Sequence, residues 1–170
     1  MSKKLPFEPA HELWNNLIWS TVQSAKAKGS NYPLEFMGAP NAAGLYRVSL
    51  INEDWWAQRT ALIPVKASGR ITDPHLNADL WQFPVLLTIG KTTNLKVRLR
   101  QHFGINDNNN RLLKRLLTLF PKLTAGEIRQ RSLVGLHVEV VVCPDWRHRF
   151  LAEHYGAALC QPLFDFEVEH

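Results

Sequence analysis

Apolar residues recur along this chain with two periods, and each change of period marks a new element. Over 9–28, Leu13, Leu17, Ile18, Thr21, Val22 and Ala25 fall at helical spacing between Pro9 and Gly29, which predicts one amphipathic N-terminal helix. Trp14 and Trp19 on it are assigned to packing rather than base stacking, because tryptophans at apolar helical positions belong to cores and interfaces. A loop rich in Pro, Gly and Asn is expected over 31–43, then a strand over 44–51. The β-branched and aliphatic run 85–89, bounded by Pro84 and Gly90, reads as a buried strand. Immediately after it the period becomes helical. Thr92, Thr93 or Asn94 can cap this helix, Leu95 and Leu99 form its apolar side, Arg98 and His102 share a neighbouring face, and Gly104 is suited to end it.

Beyond a polar loop over 104–110, a second helix is expected over 111–120, with a leucine face, Arg111, Lys114 and Arg115 on the other side, and Pro121 as its stop. Thr124 and Glu127 have capping-box spacing and should open a short helix through 131. A strand over 134–143 follows, and Asp145 caps a last helix to about 160. The excursion 52–83 is expected to hold a strand over 60–66 and turns at Ser68-Gly69-Arg70 and Asp73-Pro74-His75. Its Trp55, Trp56, Arg59, Arg70 and His75 suit a DNA-contacting or dimer-forming element, and equally a surface excursion packed by its own aromatics.

At 170 residues and 45% hydrophobic composition, the chain is long enough for one domain with its own core, with or without an appended arm. Lys and Arg number 20 against 15 Asp and Glu, a net charge of +5. The basic residues gather over 91–131 and at Arg147 and Arg149 while the C-terminal tail is acidic, so nucleic acid is the expected partner. Cys143 and Cys160 lack paired spacing, which argues against a zinc site or disulfide framework and for two buried thiols in a reducing compartment. No apolar run has the length of a signal or a membrane span, so a soluble, cytoplasmic protein without a membrane partner is expected.

Lys91 at the strand–helix joint, with Arg98 and His102 on one helical face, makes a site for an anion, although basic residues on a helix are as often a solvated face. Glu153 lies mid-helix between Phe150 and Ala157 and should point inward, where a carboxylate needs a cation, a proton or a metal ion. Arg149, four residues earlier, is the plainest partner for it. His137 and Glu139 share a strand face and are assigned to the solvated side of the sheet rather than to a metal site.

Taken in order, these residues resemble the GIY-YIG nuclease family. Gly44-Leu45-Tyr46 stands for the first motif and Thr88-Ile89-Gly90 for the second, followed by Lys91, Leu95, Arg98, His102 and Phe103; Glu153, with Pro162 nine residues on and Asp165 three beyond, stands for the last. The likeness runs over about 44–165, and departs from the family's Tyr at Thr88 and from its Asn at Asp165. It implies an α/β (α+β) fold, a small and mainly antiparallel central sheet flanked by helices, in a single domain over 1–170 with an N-terminal helical arm over 1–40 and an insertion over 52–83. It also implies a divalent-metal-dependent endonuclease of double-stranded DNA, with Mg²⁺ or Mn²⁺ held by Glu153, and Arg98 stabilising the phosphate charge. Tyr46 would activate or orient the attacking water with Lys91 easing its ionisation, His102 would join the same network, and Thr88 would stand in the second tyrosine's place. Arg100, Arg111, Lys114 and Arg115 are the expected nucleic-acid contacts. A homodimer is expected, since one such site cuts one strand. A restriction-type role stands first, with a repair nuclease, a DNA-degrading toxin or a DNA-binding module that no longer cuts as alternatives.

Overall fold

The computed structural model describes residues 8–26, 34–59, 83–103 and 111–164. Strands β1 Ser20–Lys26, β2 Leu34–Met37, β3 Gly44–Leu50, β4 Val85–Thr92 and β5 Leu136–Val142 form one sheet in the order β2-β1-β5-β3-β4, each neighbouring pair antiparallel. Among the described residues the helices are α1 Glu8–Asn15, α2 Glu53–Ala57, α3 Leu95–His102, α4 Arg111–Leu119, α5 Ala125–Gly135 and α6 Trp146–Cys160. The fold is therefore mixed α/β around a small antiparallel sheet, as expected.

The alternation of side chains along the strands assigns the helices to the two faces. Tyr46, Val48 and Leu50 of β3, with Val138 and Val140 of β5 and Val22 of β1, face the larger core. There they meet Leu95, Leu99 and Phe103 around α3, the leucines of α4, and Ile128 of α5. Leu45 and Ile89 point to the opposite face and pack on Trp14 of α1 and Ala152 of α6. With both faces covered, β4 reads in sequence as an unbroken apolar run rather than an alternating one. Close approach is possible at Gly44, where a Cβ would collide with the Val141 carbonyl oxygen and lie 2.7 Å from Leu95 Cδ1.

Several expectations are corrected. The helix predicted over 9–28 ends at Asn15, and Ser20–Lys26 is instead strand β1. Val22 is buried while Thr21 and Gln23 on either side are exposed, a period of two that suits its β-branched residues, and Ile18, counted on the apolar helical face, is 83% exposed. The loop expected over 31–43 contains β2, so the arm assigned to 1–40 supplies two strands to the sheet rather than an appendage. Trp55 and Trp56 of α2 are core residues, Trp55 against Phe120, and Arg59 lies 4.3 Å from the Trp56 ring centroid; this part of the insertion packs inward. β4 continues through Gly90 to Thr92, and β5 begins at Leu136 because α5 runs to Gly135. Cys143 is buried but Cys160 is exposed, so the chain does not hold two buried thiols. The strand expected over 60–66, the turns containing Arg70 and His75, the 104–110 loop with Gly104, and Asp165 lie outside the described residues.

The Thr124–Glu127 capping box and the Asp145 cap of α6 form as expected, and Asn94 is the residue that caps α3. No described helix is long and apolar enough to cross a membrane. Gly44→Ala should lower unfolding free energy by about 1–3 kcal/mol in denaturant titration, the usual effect of overpacking a closed core; an unchanged midpoint would show that β3 and β5 can separate locally at no cost.

Candidate functional site

The site is assembled around one tyrosine lying flat across the neighbouring strand. Tyr46 of β3 is paired in register with Gly90 of β4, and a Cβ at Gly90 would run into the phenol ring, with the ring's Cε1 2.8 Å away. Only hydrogen at that position leaves room for the side chain. Across the same face, His102 from the last turn of α3 brings Nε2 to 2.7 Å from the Tyr46 hydroxyl, with ring centroids 5.1 Å apart. The position of α3 is itself fixed by main-chain bonds, Leu95 N–H to Ala42 O at 2.9 Å and Lys96 N–H to Pro40 O at 3.2 Å. Helix and tyrosine are thus referred to the same stretch of chain.

Arg98, one turn before His102, lines an open cleft of about 450 Å³, counting the solvent at its mouth, together with Tyr46, Thr88 and Glu153. Arg111 and Arg115 of α4 line it too. His102 is buried, and burial together with the charges of Arg98, Arg115 and Arg111 pushes its pKa from 6.5 down to about 3. Its imidazole is therefore neutral at physiological pH. The Nδ1 atom is buried and has no hydrogen-bond partner among the described residues. An orphaned buried N–H is rarer and costlier than an orphaned lone pair, which assigns the proton to Nε2 and makes His102 the donor to the Tyr46 oxygen.

The opposite wall comes from the other face of the sheet. Lys91 pairs in register with Leu45, so its side chain leaves the face that carries Tyr46 and reaches Glu153 of α6. Since β4 is an outer strand, the Lys91 N–H points away from β3, and it donates to Glu153 Oε1 at 2.8 Å. The Lys91 ammonium lies 3.2 Å from Glu153 Oε2. Glu153 is 2% exposed; burial raises its pKa, and the Lys91 charge and hydrogen bonds act against that rise. Arg149, expected as the partner of Glu153, instead donates to the carbonyls of Cys143 and Pro144 at 2.8 and 2.7 Å.

Tyr46, Thr88, Lys91, Arg98, His102 and Glu153 therefore come together in one cleft straddling the edge of the sheet. Thr88 is buried two residues before Gly90, its hydroxyl 3.5 Å from the Ile89 carbonyl oxygen. Of the four basic residues expected to contact nucleic acid, Arg111 and Arg115 belong to the cleft, while Arg100 and Lys114 are exposed away from its lining. Sequence carried a signal for the difference between Arg115 and Lys114. Arg115 directly precedes the buried Leu116 and borders the leucine face, whereas Lys114 projects from the far side of α4. The Lys91–Glu153 pair had none, because it joins a strand and a helix whose residues lie 62 positions apart.

Among the described residues, no group of three or more His, Cys, Asp or Glu forms a metal cluster. The cleft does suit one hard cation in a limited way. Mg²⁺ is commonly held by one or two carboxylates and completes its shell with waters and substrate phosphate oxygens, and Glu153 supplies one carboxylate, whose Oε2 faces the Lys91 ammonium at 3.2 Å. Comparisons with protein-family models, with curated proteins and with solved structures find no match for this chain.

The depressed His102 pKa has a consequence for stability. Between pH 6.5 and 3 the unfolded chain protonates this histidine and the folded one does not, so stability is whole above 6.5 and is lost as pH falls toward 3. Melting temperature should fall on acidification from pH 7 to 4.5, and less steeply in His102→Gln; parallel profiles for the two proteins would show that His102 is not held neutral by the fold.

Proposed function

We propose that this protein is a divalent-metal-dependent DNA endonuclease of the GIY-YIG kind, hydrolysing phosphodiester bonds in the cleft at the β4 edge. The observation that carries the reading is convergence: Tyr46 from β3, Lys91 from β4, Arg98 and His102 from α3 and Glu153 from α6 line one cleft although they come from four separate elements. Phosphodiester hydrolysis needs an oriented nucleophile, neutralisation of charge on the phosphate and relief of charge on the leaving oxygen.

The residues divide those tasks by their chemistry. The guanidinium of Arg98 forks onto phosphate oxygens, and Arg111 and Arg115 extend the same cationic wall toward the rest of the strand. Tyr46 acts as the phenolate, its own proton lost to solvent: it accepts the 2.7 Å hydrogen bond from His102, orients the attacking water and takes its proton, so that the negative charge passes from the phenolate to the hydroxide that attacks. His102 serves as a neutral donor, not as an imidazolium. Glu153 is the residue to hold a divalent ion, which when bound supplies Lewis-acid stabilisation of the leaving oxygen. Thr88 leaves Tyr46 as the one phenol among the described lining residues. A cut through both strands in one encounter then calls for two copies of the chain on the DNA.

Purified protein should nick or cut plasmid DNA with Mg²⁺ or Mn²⁺ and not in chelator. Glu153→Gln should abolish cutting with binding largely retained, and Tyr46→Phe should slow single-turnover cleavage by about 10²–10⁴-fold. Arg98→Lys should be severely impaired, because an ammonium cannot reproduce the bidentate fork. Wild-type activity in Tyr46→Phe would remove Tyr46 as the water-activating group, and tight binding without any cleavage under either metal would leave a non-cutting DNA-binding module.

A further inference from the structure

Resting on the nuclease reading, we propose that Lys91 holds the place of the divalent ion on Glu153, so that metal is bound together with the DNA phosphate and not before it. Both oxygens of this carboxylate are occupied by one residue: Oε1 by the Lys91 main-chain N–H at 2.8 Å, Oε2 by the Lys91 ammonium at 3.2 Å. Oε2 is enclosed, so an ion bound to it at the usual distance of about 2.0–2.1 Å would sit against the ammonium, cation on cation. The other charged residues among the described lining are Arg98, Arg111 and Arg115, all positive. A dication approaching the free protein thus meets a carboxylate that already has its counter-ion, inside a cationic wall.

A phosphodiester changes both terms. It gives the guanidiniums and the ammonium an anion, and it brings the oxygen ligands that one carboxylate cannot provide. Lys91 is suited to such an exchange because its charge sits on a flexible four-carbon stem, and the ring of Phe150, 6.0 Å from the ammonium, offers a face for it on the solvent side. Lys91 is then a positioning residue for Glu153 and a gate on metal entry, which explains why its side chain meets Glu153 on the face opposite Tyr46.

Mn²⁺ alone is the probe, titrated by electron paramagnetic resonance against DNA-free protein. Lys91→Met, and Lys91→Gln as a second variant, should bind Mn²⁺ at least tenfold more tightly than wild type, and Mn²⁺ should raise their melting temperatures and not that of wild type. The gain should vanish in Lys91→Met/Glu153→Gln. Equal Mn²⁺ affinity in wild type and the Lys91 variants, no binding by any of them, or a gain that survives loss of Glu153 overturns the proposal. Plasmid cleavage is scored separately. Mn²⁺ gain without cleavage by wild type defeats the nuclease reading and keeps the Lys91–Glu153 gate; cleavage without the gain does the reverse.

Discussion

A buried carboxylate has to be given partners, and the way Glu153 obtains them fixes α6 against the sheet. Removing one side of a buried ion pair typically costs about 3–5 kcal/mol, so α6 must present Glu153 where both a main-chain donor and a cation are available. The outer edge of β4 is such a place, because among the described residues no strand lies beyond its outward N–H groups. Lys91 provides the donor and the cation from one residue. Farther along the edge, Leu163 and Phe164 donate to the Leu86 and Leu87 carbonyls at 2.9 and 2.8 Å, next to a bulge where the β3 register skips Leu87. An edge that would otherwise invite pairing with another chain is thereby closed, and the cleft occupies its remaining part.

On the inner side of the same strand the constraint is steric rather than ionic. Tyr46 can lie over β4 because Gly90 has no side chain, and β3 can approach β5 because Gly44 has none. These two glycines flank the tyrosine in space as pair partner and near neighbour, so the position of its hydroxyl is set by backbone separation. His102 reaches that hydroxyl because α3 is capped by Asn94 and tied by main-chain bonds to the 40–42 stretch that leads into β3. The arrangement leaves little freedom between the groups that must act together, which is what a site needs if geometry is to be kept within a few tenths of an ångström.

What could be read in the sequence was local. Caps at Asn94, Thr124 and Asp145, the strands carrying Tyr46 and Thr88, and the inward direction of Glu153 follow from spacing alone and are present in the structure. The N-terminal segment misled because apolar residues at helical spacing can also satisfy a strand when every second one is buried, and only pairing with β5 and β2 decides between the two. Arg149 misled for a similar reason. Four residues before Glu153 it is a helical neighbour, but it is drawn to the unpaired carbonyls at the end of β5, and the partner of Glu153 comes from a strand 62 residues away. Long-range charge pairing of that kind leaves no mark in periodicity.

The charges in the cleft also explain why its histidine and its arginines can coexist. Burial first, and then the positive charges of Arg98, Arg115 and Arg111, disfavour an imidazolium here, and the histidine gives up its proton, with a pKa of about 3. The guanidinium charges that add to the effect of burial on His102 also favour an anion, whether a phosphate in the cleft or a phenolate at Tyr46. Arginine keeps its charge throughout the physiological range, so this preference does not depend on a titrating group. On the nuclease reading a neutral histidine is then an asset: it donates to Tyr46 without competing for the phosphate, a task left to guanidiniums whose geometry matches it.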